Sequence, residues 1–169
     1  DSSYALVCLM EHKDAQTRIR RVRQVDESHP FTLVCRDLAE IGTYAKVNNS
    51  QFRLLKAYTP GAYTFLLEAS REVPRRLQHP KRSTIGLRVP QHVVMQSLLE
   101  TLQSPLLSMT LQLPGDEAPM SGGWEIRERL EHQLDAVIDS DIAHVGATTV
   151  VDLTQEPPAL IRAGVAAWP

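Results

Sequence analysis

Arg88 is the side chain whose type and place most directly ask for chemistry. It lies in the run Ile85-Gly86-Leu87-Arg88-Val89-Pro90, whose apolar members predict a strand. A guanidinium among apolar neighbours needs a counter-charge or a bound anion, so Arg88 is either a ligand group or half of a structural ion pair. Arg162, two residues before Gly164, is placed similarly. Ser108 and Thr110 share one side of the predicted strand Leu106–Leu111, because side chains alternate with a period of two. Thr148 and Thr149 could donate to a phosphate or serve only as β-prone residues. Arg23 is a phosphate partner or a solvated helix residue, and His29 is a further candidate. Cys8 and Cys35 read as core.

Other chemistries find no pattern. No Gly is followed by Lys-Ser or Lys-Thr, and GxGxxG, GxSxG and HExxH are absent. The six histidines include no i, i+4 pair, so no metal site is expected. The two cysteines form no CxxC, which predicts reduced thiols in a cytoplasmic protein rather than a redox or zinc motif. No serine or cysteine has an evident partner base, and no catalytic residue is assigned.

The elements that must hold these side chains alternate in type. Strands are predicted over Tyr4–Met10, Phe31–Cys35, Tyr63–Leu67, Thr84–Val89 and Leu106–Leu111. Helices are predicted over Ala15–Gln24 with Asp14 as cap, Leu38–Ala45 with Asp37 and Glu40 as a capping box, and Gln51–Tyr58 capped by Ser50. Two more run over Gln91–Leu102 and from about Trp124 to Leu134. The tail adds the apolar runs Ala136–Ile138, Thr148–Leu153 and Ala159–Ile161, and Pro114–Gly123 reads as a long loop. Such interleaving in 169 residues predicts one α/β domain with a mixed sheet, its antiparallel part C-terminal.

Composition narrows the function classes. The chain is 43% apolar and 22% charged with a net charge of −2, which fits a globular domain and signals no bulk nucleic-acid binder. Aromatics make up 5%, too few for a base-stacking platform. The longest uncharged run, Thr101–Gly115, contains two prolines and predicts no membrane span. Charge is nonetheless uneven. Four arginines fall within Arg18–Arg23, and Arg71, Arg75, Arg76, Lys81 and Arg82 face Glu72 alone, whereas residues 116–141 are strongly acidic.

Seven ordered segments resemble the YrdC/TsaC-like family of threonylcarbamoyl-AMP synthases. Asp1-Ser2-Ser3-Tyr4-Ala5-Leu6-Val7-Cys8 is similar to the stretch after that family's Pro-Thr. Arg23-Gln24 with His29-Pro30-Phe31-Thr32-Leu33 resembles its Lys-x-Arg segment and following strand. Thr59-Pro60-Gly61-Ala62-Tyr63-Thr64 resembles its PGxxT turn, and Ile85 to Pro90 its Arg-x-Pro strand. Pro105-Leu106-Leu107-Ser108-Met109-Thr110 stands where the family has PLxSTS. Thr148-Thr149-Val150-Val151-Asp152-Leu153-Thr154 and Arg162-Ala163-Gly164 resemble its last two elements. The wording CRDLAE, EVPRRL and IGLRVP is most similar to the YciO branch.

The resemblance implies a twisted mixed sheet with flanking helices and a concave basic cavity. It implies nucleotide or substrate binding by Ser2, Arg23, His29, Arg88, Ser108, Thr110, Thr148, Thr149 and Arg162. It also implies ATP with Mg²⁺ as a possible substrate, no tightly bound cofactor, and tRNA or double-stranded RNA as possible partners. Such a reaction asks the protein to position reactants and stabilise charge at a phosphate, so no nucleophile is needed. Two departures stand out: the Lys-x-Arg becomes Arg23-Gln24-Val25, and a Ser-x-Asn becomes Thr110-Leu111-Gln112. They predict binding of nucleotide or RNA with weak or no turnover; the alternative is an active synthase using ATP, threonine and bicarbonate. Because the family motif starts before Asp1, residues 1–169 are expected to be one domain lacking an N-terminal strand-helix-strand portion.

Overall fold

A computed structural model describes residues 1–141 and 146–169. Its strands are β1 (Ala5–Leu9), β2 (Thr32–Val34), β3 (Tyr63–Glu68), β4 (Thr84–Arg88), β5 (Leu106–Thr110), β6 (Thr149–Asp152) and β7 (Ala159–Arg162). Its α-helices are α1 (Lys13–Arg23), α2 (Leu38–Tyr44), α3 (Asn49–Tyr58), α4 (Val93–Leu102) and α5 (Gly123–Leu130). The seven strands form one mixed sheet in the order β1-β5-β2-β4-β3-β6-β7. Pairs β2–β4 and β3–β6 are parallel, and the other four are antiparallel. The antiparallel pairing is therefore spread across the sheet, not gathered at the C-terminus. Hairpin-like neighbours in sequence do not all pair, and β5 inserts between β1 and β2.

Local chemistry explains most boundaries and the places where they shift. Asp37 caps α2 by accepting from the Glu40 N–H at 2.9 Å, while the Glu40 carboxylate accepts from the Arg36 N–H. At α3 the cap is Asn48 rather than Ser50, and Gln51 closes a capping box at 2.9 Å each way. Asp14 lies inside the first turn of α1, where its charge favours the helix dipole without capping. Helix α4 starts at Val93, not Gln91, because the Gln91 N–H donates to the Asp1 carboxylate at 2.7 Å. The run Ala136–Ile138 makes no strand; Val137 packs on the core and Ile138 is exposed. Among the described residues no helix is long and apolar enough to cross a membrane.

The registers divide the strand side chains between two faces. One carries Leu6, Cys8, Leu33, Ile85, Leu87, Phe65, Leu67, Leu107, Met109 and Val151, all buried in a single cluster that α1 joins through Ile19 and Val22. The opposite face is polar over much of its area. Its rows, read across the sheet, are Val7–Ser108–Thr32–Gly86–Leu66–Asp152 and Leu9–Leu106–Val34–Arg88–Thr64–Val150–Arg162. Helix α4 covers one corner of it, where Val34, Leu99 and Leu106 pack with Leu9, Met95 and Leu98.

Candidate functional site on the polar face

Arg88 lies where the apolar corner meets the polar rows, beside Val34 on one side and Thr64 on the other. Its Nη2 donates to the Asp1 carboxylate, and its Nη1 lies 3.5 Å from Ser2 Oγ. Both partners are largely buried, and Nε has no partner among the described residues. Burial depresses the guanidinium pKa to about 10, so the one carboxylate leaves its desolvation incompletely offset. Arg88 thus forms the ion pair that one of its two sequence readings gave, and its Nε donor has no partner among the described residues.

Arg88 and Asp1 line a cavity of about 370 Å³, together with Val7, Val34, Met95, Leu98, Ser108 and the 133–140 segment. That is within the range of small-molecule sites. Its charged groups are Arg18 and Arg88 against Asp1 and Asp135, so the basic character expected of it is balanced by carboxylates. His92 is on the same wall, and nothing in the sequence analysis selected it. Its Nε2 is 3.0 Å from the Asp141 carbonyl oxygen, and its Nδ1 is buried without a partner among the described residues. Its position two residues after the Arg-x-Pro turn was the available signal.

Other expected site residues fall into four places. Ser108 and Thr110 share the polar face, as their spacing predicted; Ser108 Oγ donates to the Thr32 carbonyl at 3.3 Å. Thr148 Oγ1 lies 2.8 Å from Thr64 Oγ1, and Arg162 donates to the Thr148 carbonyl at 2.8 and 3.1 Å and to its hydroxyl at 3.1 Å. Arg88 and Arg162 share a row but are three strands apart, roughly 14 Å at normal strand spacing, so they do not meet at one point. Thr149 points to the apolar face, where it donates to the Ala166 carbonyl and accepts from the Gly164 N–H. Arg23 lies at the end of α1 and donates to the Thr110 carbonyl at 2.6 Å. His29 is near it, its pKa lowered by burial and by the Arg23 charge. Neither joins the Arg88 cavity.

The two departures are absorbed by local structure. Val25 packs against the core, and Gln112 Nε2 donates to the Asp116 carbonyl at 3.0 Å. Cys8 and Cys35 are free and buried, and burial pushes the Cys8 thiol up to about 11.

Comparison with known proteins gives this geometry a context. The Sua5/YciO/YrdC family model, described as "Telomere recombination", matches residues 1–164. The chain is 51% identical over 165 residues to the uncharacterized protein YciO of Escherichia coli K12, covering 98% of this chain and 80% of that one. It is 28% identical over 161 residues to the human threonylcarbamoyl-AMP synthase, covering 91% of this chain and 56% of that enzyme. The crystal structure of E. coli YciO superposes with a TM-score of 0.92 at 50% identity, covering 99% of this chain and 81% of that one. The fold is also that of Pyrococcus abyssi Sua5 complexed with L-threonine, at a TM-score of 0.87 and 24% identity, covering 96% and 48% of the two chains. The family-model match over residues 1–164 and the 51% identity to YciO across 98% of the chain place this chain in the Sua5/YciO/YrdC family, with YciO proteins as close relatives and threonylcarbamoyl-AMP synthases as more distant ones.

Proposed function

We propose that this protein binds a nucleotide across the polar face of its sheet. The supporting observation is the row Arg88–Thr64–Val150–Arg162, in which two arginines flank the paired hydroxyls of Thr64 and Thr148. An extended polyanion can use donors spaced this way, whereas a compact anion cannot. Mg²⁺ would arrive with the nucleotide. Val25 and Gln112 favour binding over threonylcarbamoyl-AMP synthesis, since each replaces a family polar group with a side chain occupied elsewhere.

Calorimetric titration of the protein with ATP, ADP and AMP, with and without Mg²⁺, tests the reading. Arg162→Ala should weaken ATP binding by about tenfold, the usual effect of losing a charged hydrogen bond. Failure of all three nucleotides to bind sinks it. Pyrophosphate release with ATP, threonine and bicarbonate tests the synthase alternative, and robust turnover would replace binding without turnover.

RNA is a second reading with its own observation. Gln16, Arg20 and Arg23 lie on one stripe of α1, and Arg76 donates to Gln16 Oε1. Among the described residues Arg20, Arg21, Arg23, Arg75 and Arg76 form no ion pair with a carboxylate. Of these, Arg21, Arg75 and Arg76 are exposed, and exposed unpaired arginines suit a phosphate backbone. They lie outside the cavity that the sequence analysis expected to be basic. Double-stranded RNA affinity measured across a salt series should lose about one unit of log–log slope with Arg20→Ala.

A further inference from the structure

Residues 116–141 carry eight carboxylates against two arginines, and α5 sends its apolar side chains Ile126 and Leu130 into the core. Its outer side therefore shows Trp124, Glu128 and Glu131, which follow one another at helical spacing and are all exposed. Trp124 is 69% exposed and Ile138 52%. The Asp139 carboxylate lies against Gly123, so Trp124 and Ile138, each next in the chain to that contact, share one patch. Among the described residues Glu128 has no ion pair, and Glu131 pairs only with its neighbour His132. An open indole ring beside free carboxylates favours a cation twice over, through the ring quadrupole and through Coulomb attraction.

Cations of that kind stand on the far side of α1. Arg18 of this helix pairs with Asp135 of the acidic segment, whereas Gln16 accepts from Arg76. Positions 16 and 18 point to sides of a helix about 160° apart. The acidic segment and the 71–82 segment are thereby held on opposite flanks of α1. Arg71 and Arg75 are exposed, and among the described residues neither forms an ion pair with a carboxylate. One surface thus presents an acidic flank with an indole and a basic flank, with α1 between them.

We propose that this surface is the two-fold interface of a homodimer. A two-fold axis running along α1 lays the acidic flank of each copy on the basic flank of the other and makes the two contacts identical. Trp124 of each copy then stacks on a guanidinium of the other copy's 71–75 segment, with Glu128 beside it as counter-charge. Paired tryptophan and arginine side chains are the groups that dominate interface energies. Arg75 also belongs to the RNA reading, so dimer and RNA compete for it. The second copy is favoured because it complements both flanks, whereas an RNA backbone would meet carboxylates on one of them. The inference is independent of the nucleotide reading.

Sedimentation equilibrium of the whole chain tests it. The wild type should dimerise, and raising salt from about 50 to about 500 mM should weaken association by about tenfold or more. Trp124→Ala should weaken it about thirtyfold, the usual effect of truncating an interface anchor. Arg71→Glu with Arg75→Glu, and separately Glu128→Lys with Glu131→Lys, should each leave a monomer. Mixing these two double variants should restore a dimer, because each then offers the charge that the other has lost. A variant that had failed to fold could not do this. A wild type that stays monomeric at low salt overturns the proposal, even where double-stranded RNA or an arginine-rich peptide occupies the patches. A dimer that survives both charge reversals, or a mixture that stays monomeric, overturns the placement of the interface on these flanks. Unchanged association of Trp124→Ala overturns the part given to the indole.

Discussion

The two faces of the sheet are built by the same strands and have opposite tasks. On one, Leu33, Phe65, Leu67, Leu87, Leu107 and Val151 are fully removed from solvent. On the other, the neighbours of those residues one position along each strand are Thr32, Thr64, Leu66, Arg88, Ser108 and Val150, and Gly86 has no side chain at all. A one-residue step changes a residue's surroundings from packed hydrocarbon to hydroxyl and guanidinium. The lesson is that stability and ligand recognition are separated by parity within each strand and not by region of the chain.

Truncation at adjacent positions is the strongest way to break that comparison. Phe65→Ala should destabilise the fold by about 3–5 kcal/mol in urea unfolding, the usual range for a fully buried ring. Thr64→Val, one residue away, should cost about 0.5–1.5 kcal/mol through its lost hydrogen bond to Thr148. Equal losses at the two positions would mean that the faces do not differ as described.

A smaller effect is expected where the C-terminal segment is fastened to the apolar side. Tyr63 OH donates to the Ala167 carbonyl, Trp168 packs on Tyr58 with ring centroids 4.7 Å apart, and Gly164 abuts the backbone of Ala147 and Thr148. A Cβ at Gly164 would collide with those backbone atoms, which cannot yield as a side chain can. Gly164→Ala should therefore lower stability by about 1–3 kcal/mol in thermal or urea unfolding. A neutral effect would show that Thr149 and its neighbours do not hold this segment.

Two pH dependences sharpen the contrast further. Asp152 is buried on the polar face, and burial alone would raise its pKa. The Thr154 hydroxyl and N–H, Gln155 and the Arg82 charge outweigh that and hold it below the usual 3.8. Its stabilising contribution is present above about pH 3.8 and is lost as pH falls through the lower folded value. Asp152→Asn should thus unfold with a shallower loss of stability between pH 4 and pH 2, roughly the window of carboxylate titration. His29 has a depressed pKa, so its unfolded form takes the proton first and the folded state loses stability as pH falls below 6.5. His29→Gln should flatten that part of the profile, and a steeper slope would contradict the burial of the ring.

Much of this was legible before the fold was known, for reasons that are local. Period-two spacing put Ser108 and Thr110 on one face, and an arginine amid apolar residues marked Arg88. The Asp37 cap followed from a side chain and an amide three residues apart. His92 was missed because its hydrogen bond runs to the carbonyl of Asp141, 49 residues away in the chain. Asn48 outcompeted Ser50 as the cap of α3 because Gln51 stands three residues after it and completes a box that Ser50 cannot form.

The sequence by itself determined which segments are strands or helices, which side chains share a strand face, and the family whose motifs recur in order. Those properties depend on bonds and periodicities spanning a few residues. Only the tertiary structure decided that β5 lies between β1 and β2, that Thr64 meets Thr148, that Arg88 is paired with Asp1 yet keeps Nε unused, and that Thr149 faces the core while Thr148 does not meet it. Each depends on register between strands distant in the chain. A slip of one residue would exchange the two faces, and the packing of the whole apolar cluster is what forbids that slip.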